Sequence, residues 1–410
     1  MIRLPRVFYS IMSQGVVSGT NLLLSFALLY RSPSADYVAF LLFVNAFSLL
    51  SSLLNALFVS PVGVLIPRME EAQVARTERI ASRLALGIGV AAVPFSVFLT
   101  AGPLSKSDPV LTACVTFVAA VLLLQREIAR NACMVRGDLS TLLRFDTIYF
   151  LFAVGVGVAT VLASQLHFLS AVLALSVPAL LTMLSRPSWR FSRQIRIDSK
   201  IVALDRAFWK QVIKSAKWAV PGVVVTWLFS YGYWFMLERM VGVLAVAELG
   251  AARLFFTPVG LIVQGWVMML RPVAINMAHS GRSAELRVTV MRQSAIGVAC
   301  VVAVTAFAYC IVVLFPAVLP ASMRAPSIPA YLGVWGIYFA VFWVRSGMTV
   351  VLLTDSDAFR KVFKANLLVC VAFYAVVLIT SRSYSVLGCL WGLVSAELLM
   401  IALLLRQFNE

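Results

Sequence analysis

The sequence predicts an all-α polytopic membrane protein: twelve transmembrane helices in two six-helix bundles around a central cavity. Three observations carry this expectation. The 410 residues are 61% hydrophobic and only 12% charged, with a mean hydropathy of +0.95, too little charge to clothe a soluble surface. Apolar runs of about 18 or more residues, each long enough to cross a bilayer, recur along the whole chain. The basic residues are distributed with a strong side preference. A membrane β-barrel would show shorter segments of alternating polarity instead.

The hydropathy pattern places helices at about 8–30, 37–66, 82–102, 110–133, 143–164, 167–185, 218–237, 243–270, 290–315, 328–353, 364–380 and 384–405. The first follows Arg3 and Arg6 and runs from Phe8 to Tyr30. It is too long for the apolar core of a signal peptide and lacks a small-residue cleavage site, so it reads as a retained helix. With both termini cytoplasmic, twenty-seven of the 34 Lys and Arg fall on the inner side and five on the outer side. Arg253 and Arg345 remain inside helices. The net charge of +17 is therefore read as a topology signal rather than a nucleic-acid surface.

Six helices are divided from six by residues 186–217, which hold nine basic and two acidic residues. This gives an N-terminal bundle at 1–185, a basic cytoplasmic linker at 186–217 and a C-terminal bundle at 218–410. Within the linker, Phe208, Trp209, Val212 and Ile213 alternate with Arg206, Lys210, Lys214 and Lys217. That pattern suits either a helix lying on an anionic leaflet or plain basic flanking. The halves share a short echo, "SPVGVLIPRM" at 60–69 and "TPVGLIVQGWVMMLRP" at 257–272, as expected of an internal repeat.

Several chemistries find no support. The six cysteines sit in or beside apolar segments, form no CxxC, and have only His167 and His279 for company, so no metal site or disulfide framework is expected. No nucleophilic triad, P-loop or dinucleotide fingerprint appears. The longest outer loop, near 316–328, offers no catalytic constellation. The chain is read as neither an enzyme nor a holder of a cofactor.

Function is then sought where polar groups share a helix face. Ser10, Gln14, Ser18, Asn21 and Ser25 recur at three- and four-residue steps in the first helix. Asn45, Ser48, Ser52 and Asn55 do so in the second, and Gly222, Thr226, Ser230 and Tyr233 in the seventh. Such stripes serve either as glue between helices or as the wall of a hydrated cavity. In the eighth helix Arg253, Thr257, Gly260, Gln264 and Arg271 share a face, with Pro258 expected to bend the helix and blur the phase. Glu248 is about 140° from Arg253 and is not its natural partner. In the tenth helix Tyr331, Tyr338, Arg345 and Thr349 share a face. Arg345 lies ~12 Å from the inner end, level with Glu397 in the twelfth. A buried arginine wants a carboxylate, so Arg345 and Glu397 are expected to pair, either structurally or as an ion-sensitive lock.

The stretch at 13–69, with Ser13-Gln14 at its start, Asn21 mid-helix, a short outer turn before Tyr37 and an end at Pro61 and Pro67, resembles the first two helices of polysaccharide flippases. These belong to the superfamily that also holds multidrug and toxic compound extruders and lipid II flippases. The stretch "AVAELGAARLFFTPVGLIVQGWVMMLRP" is similar in the second half. The spacer "RSPSADYV" departs from the family's glycine-rich form.

The resemblance implies alternating access. It implies movement of an isoprenoid-diphosphate-linked oligosaccharide from the inner to the outer leaflet of a bacterial inner membrane, for exopolysaccharide, capsule or O-antigen assembly. Membrane lipids, and a polymerase with glycosyltransferases, would be its partners. Arginine forks suit phosphate, and amides, hydroxyls and aromatic faces suit sugars. The candidate substrate-binding residues are accordingly Arg253, Gln264, Arg271, Gln14, Asn21, Asn45, Thr226 and Tyr233. Trp227, Tyr231 and Trp234 are further aromatic candidates. Two alternatives stand beside this reading: a cation-coupled exporter, which would want a cavity carboxylate such as Asp146, and a non-transport scaffold of a polysaccharide-synthesis complex.

Overall fold

The computed structural model describes residues 4–59, 71–105, 107–135, 138–163, 166–184, 206–352 and 358–409. The first copy of the repeated motif, at 60–69, and the linker from 186 to 205 lie outside them.

Every described element is helical, as a chain in lipid requires when backbone N–H and C=O must be satisfied within one segment. The order is α1 (Leu4–Arg31), α2 (Ser34–Leu54, continued by a π turn at Asn55–Val59), α3 (Glu71–Val90), α4 (Ala92–Thr100), α5 (Pro109–Val135), α6 (Leu139–Leu162) and α7 (Phe168–Leu184). Then come α8 (Arg206–Trp227), a π turn at Leu228–Gly232, α9 (Tyr233–Val241), α10 (Val243–Leu254), α11 (Thr257–His279), α12 (Ser283–Leu314), α13 (Ile328–Leu352) and α14 (Ala358–Asn409). Among the described residues, eleven helical stretches are long and apolar enough to cross a membrane, and Phe168–Leu184 is a shorter apolar helix.

Two of the breaks have a local cause. Pro94 and Pro258 lack an N–H, and each ring collides with the carbonyl four residues earlier. Those carbonyls belong to Val90 and Leu254, the last residues of α3 and α10. The chain closes each end with tighter bonds, Ala91 N–H to Ile88 O at 3.0 Å and Phe256 N–H to Arg253 O at 2.9 Å. The continuous eighth helix expected at 243–270 is therefore two helices, α10 and α11. The helix expected from residue 218 instead begins at Arg206, so the basic segment 206–217 forms the first part of α8.

The helical backbone of α14 runs for 52 residues, which straightened would be about 78 Å, far beyond a bilayer core. It holds two spans, Lys361–Ile379 and Val386–Arg406, and the chain doubles back between them. A Cβ on Gly392 would lie 3.2 Å from Val377 Cγ2 and 3.7 Å from Phe373, so glycine permits the close return.

The chain forms two compact units, Met1–Trp227 and Leu228–Glu410. In the first, α1 packs on α6, α5 on α7, and α8 on α2 with its π turn. Leu50, Leu54, Ala85, Ala120 and Leu124 form a core there. In the second, α13 packs between α12 and α14, and Leu270, Ala274, Leu286 and Val350 form a core.

One polar clamp ties the turn between α1 and α2 to the start of α7. Asp36 Oδ1 accepts from the Phe168 N–H at 2.9 Å, and Ser32 Oγ donates to Leu166 O at 2.6 Å. The Asp36 bond satisfies one of the orphan donors that begin α7. Asp36→Ala is expected to cost about 1 kcal/mol, as loss of a helix cap does, measurable as a lower melting temperature in detergent. An unchanged melt would show that another acceptor replaces Asp36.

Candidate functional site

Each unit contains a buried charged cluster. In the first, Asp146 on α6 is fully buried and Arg126 and Arg130 on α5 are nearly so. Arg126 Nη2 donates to Asp146 Oδ1 at 2.6 Å, and Arg130 Nε reaches Oδ1 at 3.0 Å and Oδ2 at 3.1 Å. Ser13 Oγ on α1 donates to Asp146 Oδ2, and Arg130 Nη2 donates to Ser13 Oγ at 3.3 Å. Glu127 takes two further bonds from Arg130 Nη1, each at 3.2 Å. The Arg126 guanidinium lies 3.6 Å over the Tyr149 ring, a cation–π contact. Two arginines and two carboxylates leave the cluster formally neutral, which is what makes its burial tolerable.

The sequence reading counted Arg126 and Arg130 among the inner-side flanking charges; the fold instead turns them inward. They stand four apart on one helix face, and Asp146 is close in chain to the same end. Asp138 begins α6 as its cap, accepting from the Thr141 N–H at 3.1 Å, and these bonds from Thr141 hold its carboxyl below the ordinary value.

In the second unit, Arg253, in the last turn of α10, lies among aromatic rings. Its guanidinium carbon lies 5.4 Å from the Tyr231 centroid and 5.5 Å from those of Trp234 and Trp335. From Trp335 a run of rings descends α13: Tyr338 at 5.3 Å edge-on, then Phe342 stacked on Tyr338 at 6.0 Å. Arg345 lies 5.0 Å over Phe342 and forms an ion pair through Nε with Oε2 of the fully buried Glu397 on α14. Tyr233 is buried beside this run, 5.1 Å from Trp234 and 6.0 Å from Phe373. Glu248 faces elsewhere, accepting from Ser327 Oγ at 2.6 Å.

The other candidates divide by unit. Gln14 and Asn21 on α1 are half-buried. Asn45 is buried, and its backbone oxygen accepts from Trp227 Nε1 at 2.7 Å, while Asn45 Nδ2 has no hydrogen-bond partner among the described residues. Thr226 is exposed on α8 and Tyr233 is buried on α9. The π turn between them widens the helical step and breaks the phase that would have set both on one face. Gln264 and Arg271 are exposed on α11, separated from Arg253 by the break at Phe255–Phe256. The single stripe expected from Arg253 to Arg271 is thus cut in two.

No family profile and no curated protein matches the sequence. Solved structures do match over nearly the whole chain. A MATE transporter in complex with MaD3S is 13% identical, with a TM-score of 0.67, covering 98% of this chain and 94% of that one. An outward-facing MATE multidrug resistance transporter of the MOP superfamily is 14% identical, TM-score 0.66, covering 98% and 93%. The lipid II flippase MurJ in an inward closed conformation is 10% identical, TM-score 0.69, covering 98% and 88%. The chain shares the overall fold of these solved structures. It is a multi-pass helical membrane protein.

Within that fold the clusters differ in kind. The Asp146 cluster is saturated by its own arginines. The Arg253 surroundings contain donors that the protein leaves unanswered: Trp234 Nε1 and Trp335 Nε1 are buried with no hydrogen-bond partner among the described residues. A lone tryptophan in an apolar run reads as core or interface anchor. Only the convergence of two such rings on one arginine singles them out.

Proposed function

We propose that the protein is a flippase that moves an isoprenoid-diphosphate-linked oligosaccharide from the inner to the outer leaflet of a bacterial inner membrane, with both termini cytoplasmic, for exopolysaccharide, capsule or O-antigen assembly. Membrane lipids surround it, and a polymerase and glycosyltransferases supply and consume its cargo.

The observation that carries this reading is the Arg253 site: a half-buried guanidinium faced by two indoles whose N–H groups have no acceptor among the described residues. Buried donors without acceptors cost free energy, and an anionic oxygen-rich group would supply what they lack. The break that follows Arg253 adds the N-terminal end of α11, whose dipole favours negative charge. The fold's likeness to a lipid II flippase supports the choice of lipid-linked cargo. A cation exporter built on the first unit's carboxylate is disfavoured, because Asp146 is already bonded to two arginines.

The test is Arg253→Ala in vesicles loaded with a fluorescent isoprenoid-diphosphate sugar. Losing a charge-assisted bond of about 1.5–3 kcal/mol is expected to slow translocation roughly ten- to a hundredfold. Arg253→Lys should fall between, because lysine keeps the charge and loses the fork. Undiminished translocation by folded Arg253→Ala protein would remove this site from the pathway and the reading with it.

A further inference from the structure

The two buried arginine–carboxylate clusters occupy matching places. Arg126 is the eighteenth residue of α5 and Arg345 the eighteenth of α13. In the six-plus-six order read from the sequence these helices are the fourth and the tenth. Each arginine binds a carboxylate from a later helix of its own unit, Asp146 on α6 and Glu397 on α14. The satisfaction of the two acids is opposite. Asp146 has two arginines and a serine hydroxyl around it. Glu397 is equally buried, yet its ion pairing comes from a single arginine, and its Oε1 has no hydrogen-bond partner among the described residues.

A buried carboxylate with one cationic partner and one oxygen left without a hydrogen bond is less well stabilised as an anion than one held by several donors, because a single arginine offsets only part of its desolvation. The neutral acid is less costly to bury. We propose that Glu397 is a proton-exchange site, and that its protonation releases Arg345 and so works as a latch between α13 and α14. In the step, a proton from water adds to a carboxylate oxygen of Glu397. Arg345 keeps its proton, and the pair goes from neutral to a single positive charge.

Arg345 is partly exposed while Glu397 is not. The groups around Glu397 fit this assignment. Arg345 and Tyr338 on α13 are the charged and titratable groups within its electrostatic reach. The other elements packed on α14 bring Tyr231 on the π turn, Tyr233 on α9 and Arg253 on α10, and these gather around Tyr338. The remaining acids on α9 and α10 are engaged elsewhere, Glu238 beside Arg239 and Glu248 with Ser327. The latch stands on the second unit's own geometry and does not depend on the cargo being a lipid diphosphate.

The experiment is infrared difference spectroscopy of the full chain in lipid vesicles, titrated between about pH 5 and pH 9, where buried glutamates titrate. The expected result is a carboxylic-acid carbonyl band that grows as pH falls, disappears in Glu397→Gln and persists in Asp146→Asn. Arg345→Gln, which keeps the acid and removes its cation, is expected to move the band's midpoint to higher pH by a unit or more. That variant also serves if Glu397→Gln does not fold. Absence of any such band, or a band unaltered by both changes, overturns the proposal. Failure of the Arg253→Ala transport test would leave this result untouched.

Discussion

Asp146→Leu is expected to destabilise the protein by about 3–5 kcal/mol, the usual cost of removing one partner from a buried ion pair. The substitution leaves Arg126 and Arg130 inside the first unit with only Glu127 between them, at relative exposures of 2% and 4%. It also strips Ser13 of its acceptor, loosening the tie between α1 and α6. Thermal unfolding in detergent measures the loss. Asp146→Asn should cost less, since the amide oxygen still accepts. Replacing Asp146, Arg126 and Arg130 together by apolar residues of similar volume should recover much of the stability, because no uncompensated charge then remains. If Asp146→Leu melts like the parent, the cluster does not hold the unit together and its burial has another purpose.

Gly297→Ala comes next in expected effect. A Cβ on Gly297 would overlap Cε2, Nε1 and Cδ2 of the Trp343 indole. Trp343 is buried and packed against Trp266 at 5.7 Å between centroids, and Trp266 Nε1 is held by Gln293 Oε1 at 2.8 Å. The ring therefore has little room to yield. Overpacking costs about 1–3 kcal/mol, and Gly297→Val, with a larger branched side chain, should exceed that. Gly333→Ala is the matched control, since a Cβ there meets nothing within 4 Å. Alanine's better helix propensity should leave it neutral or gain up to about 1 kcal/mol. Equal melting temperatures for the Gly297 and Gly333 variants would show that α12 and α13 do not meet so closely.

Much of the fold was legible because lipid imposes simple rules. The spans follow from apolar length, and the breaks after Val90 and Leu254 lie four residues before prolines. Yet Pro178 and Pro221 sit inside α7 and α8, which continue through them. The residue type marks where a bond is missing; packing decides whether the helix stops. The depth argument set Arg345 and Glu397 at one level, and the two are in contact. The same reasoning was open for Arg126, Arg130 and Asp146. Their nearness to predicted helix ends made them look like flanking charges.

The stripes were harder to read, because a stripe depends on unbroken helical phase. The π turn at Leu228–Gly232 and the break at Phe255–Phe256 each shift that phase, so Thr226 parts from Tyr233, and Arg253 from Gln264 and Arg271. "ELGAARLFFTPVG" shows both sides of the matter. Its helical spacing alone set Glu248 apart from Arg253. That Glu248 meets Ser327, and Arg253 meets Tyr231, Trp234 and Trp335, depended on segments up to eighty residues away in sequence.

By itself, then, the sequence determined that this is a membrane-spanning helical protein, which residues lie in its spans, and how charge is apportioned along it. These follow from transfer free energies, which are local and additive along a segment. Which arginines turn inward, which carboxylate is saturated and which is left with one partner, and which glycine admits a tryptophan were decided only by the tertiary structure. Each depends on what a neighbouring helix places opposite, and composition carries no record of that.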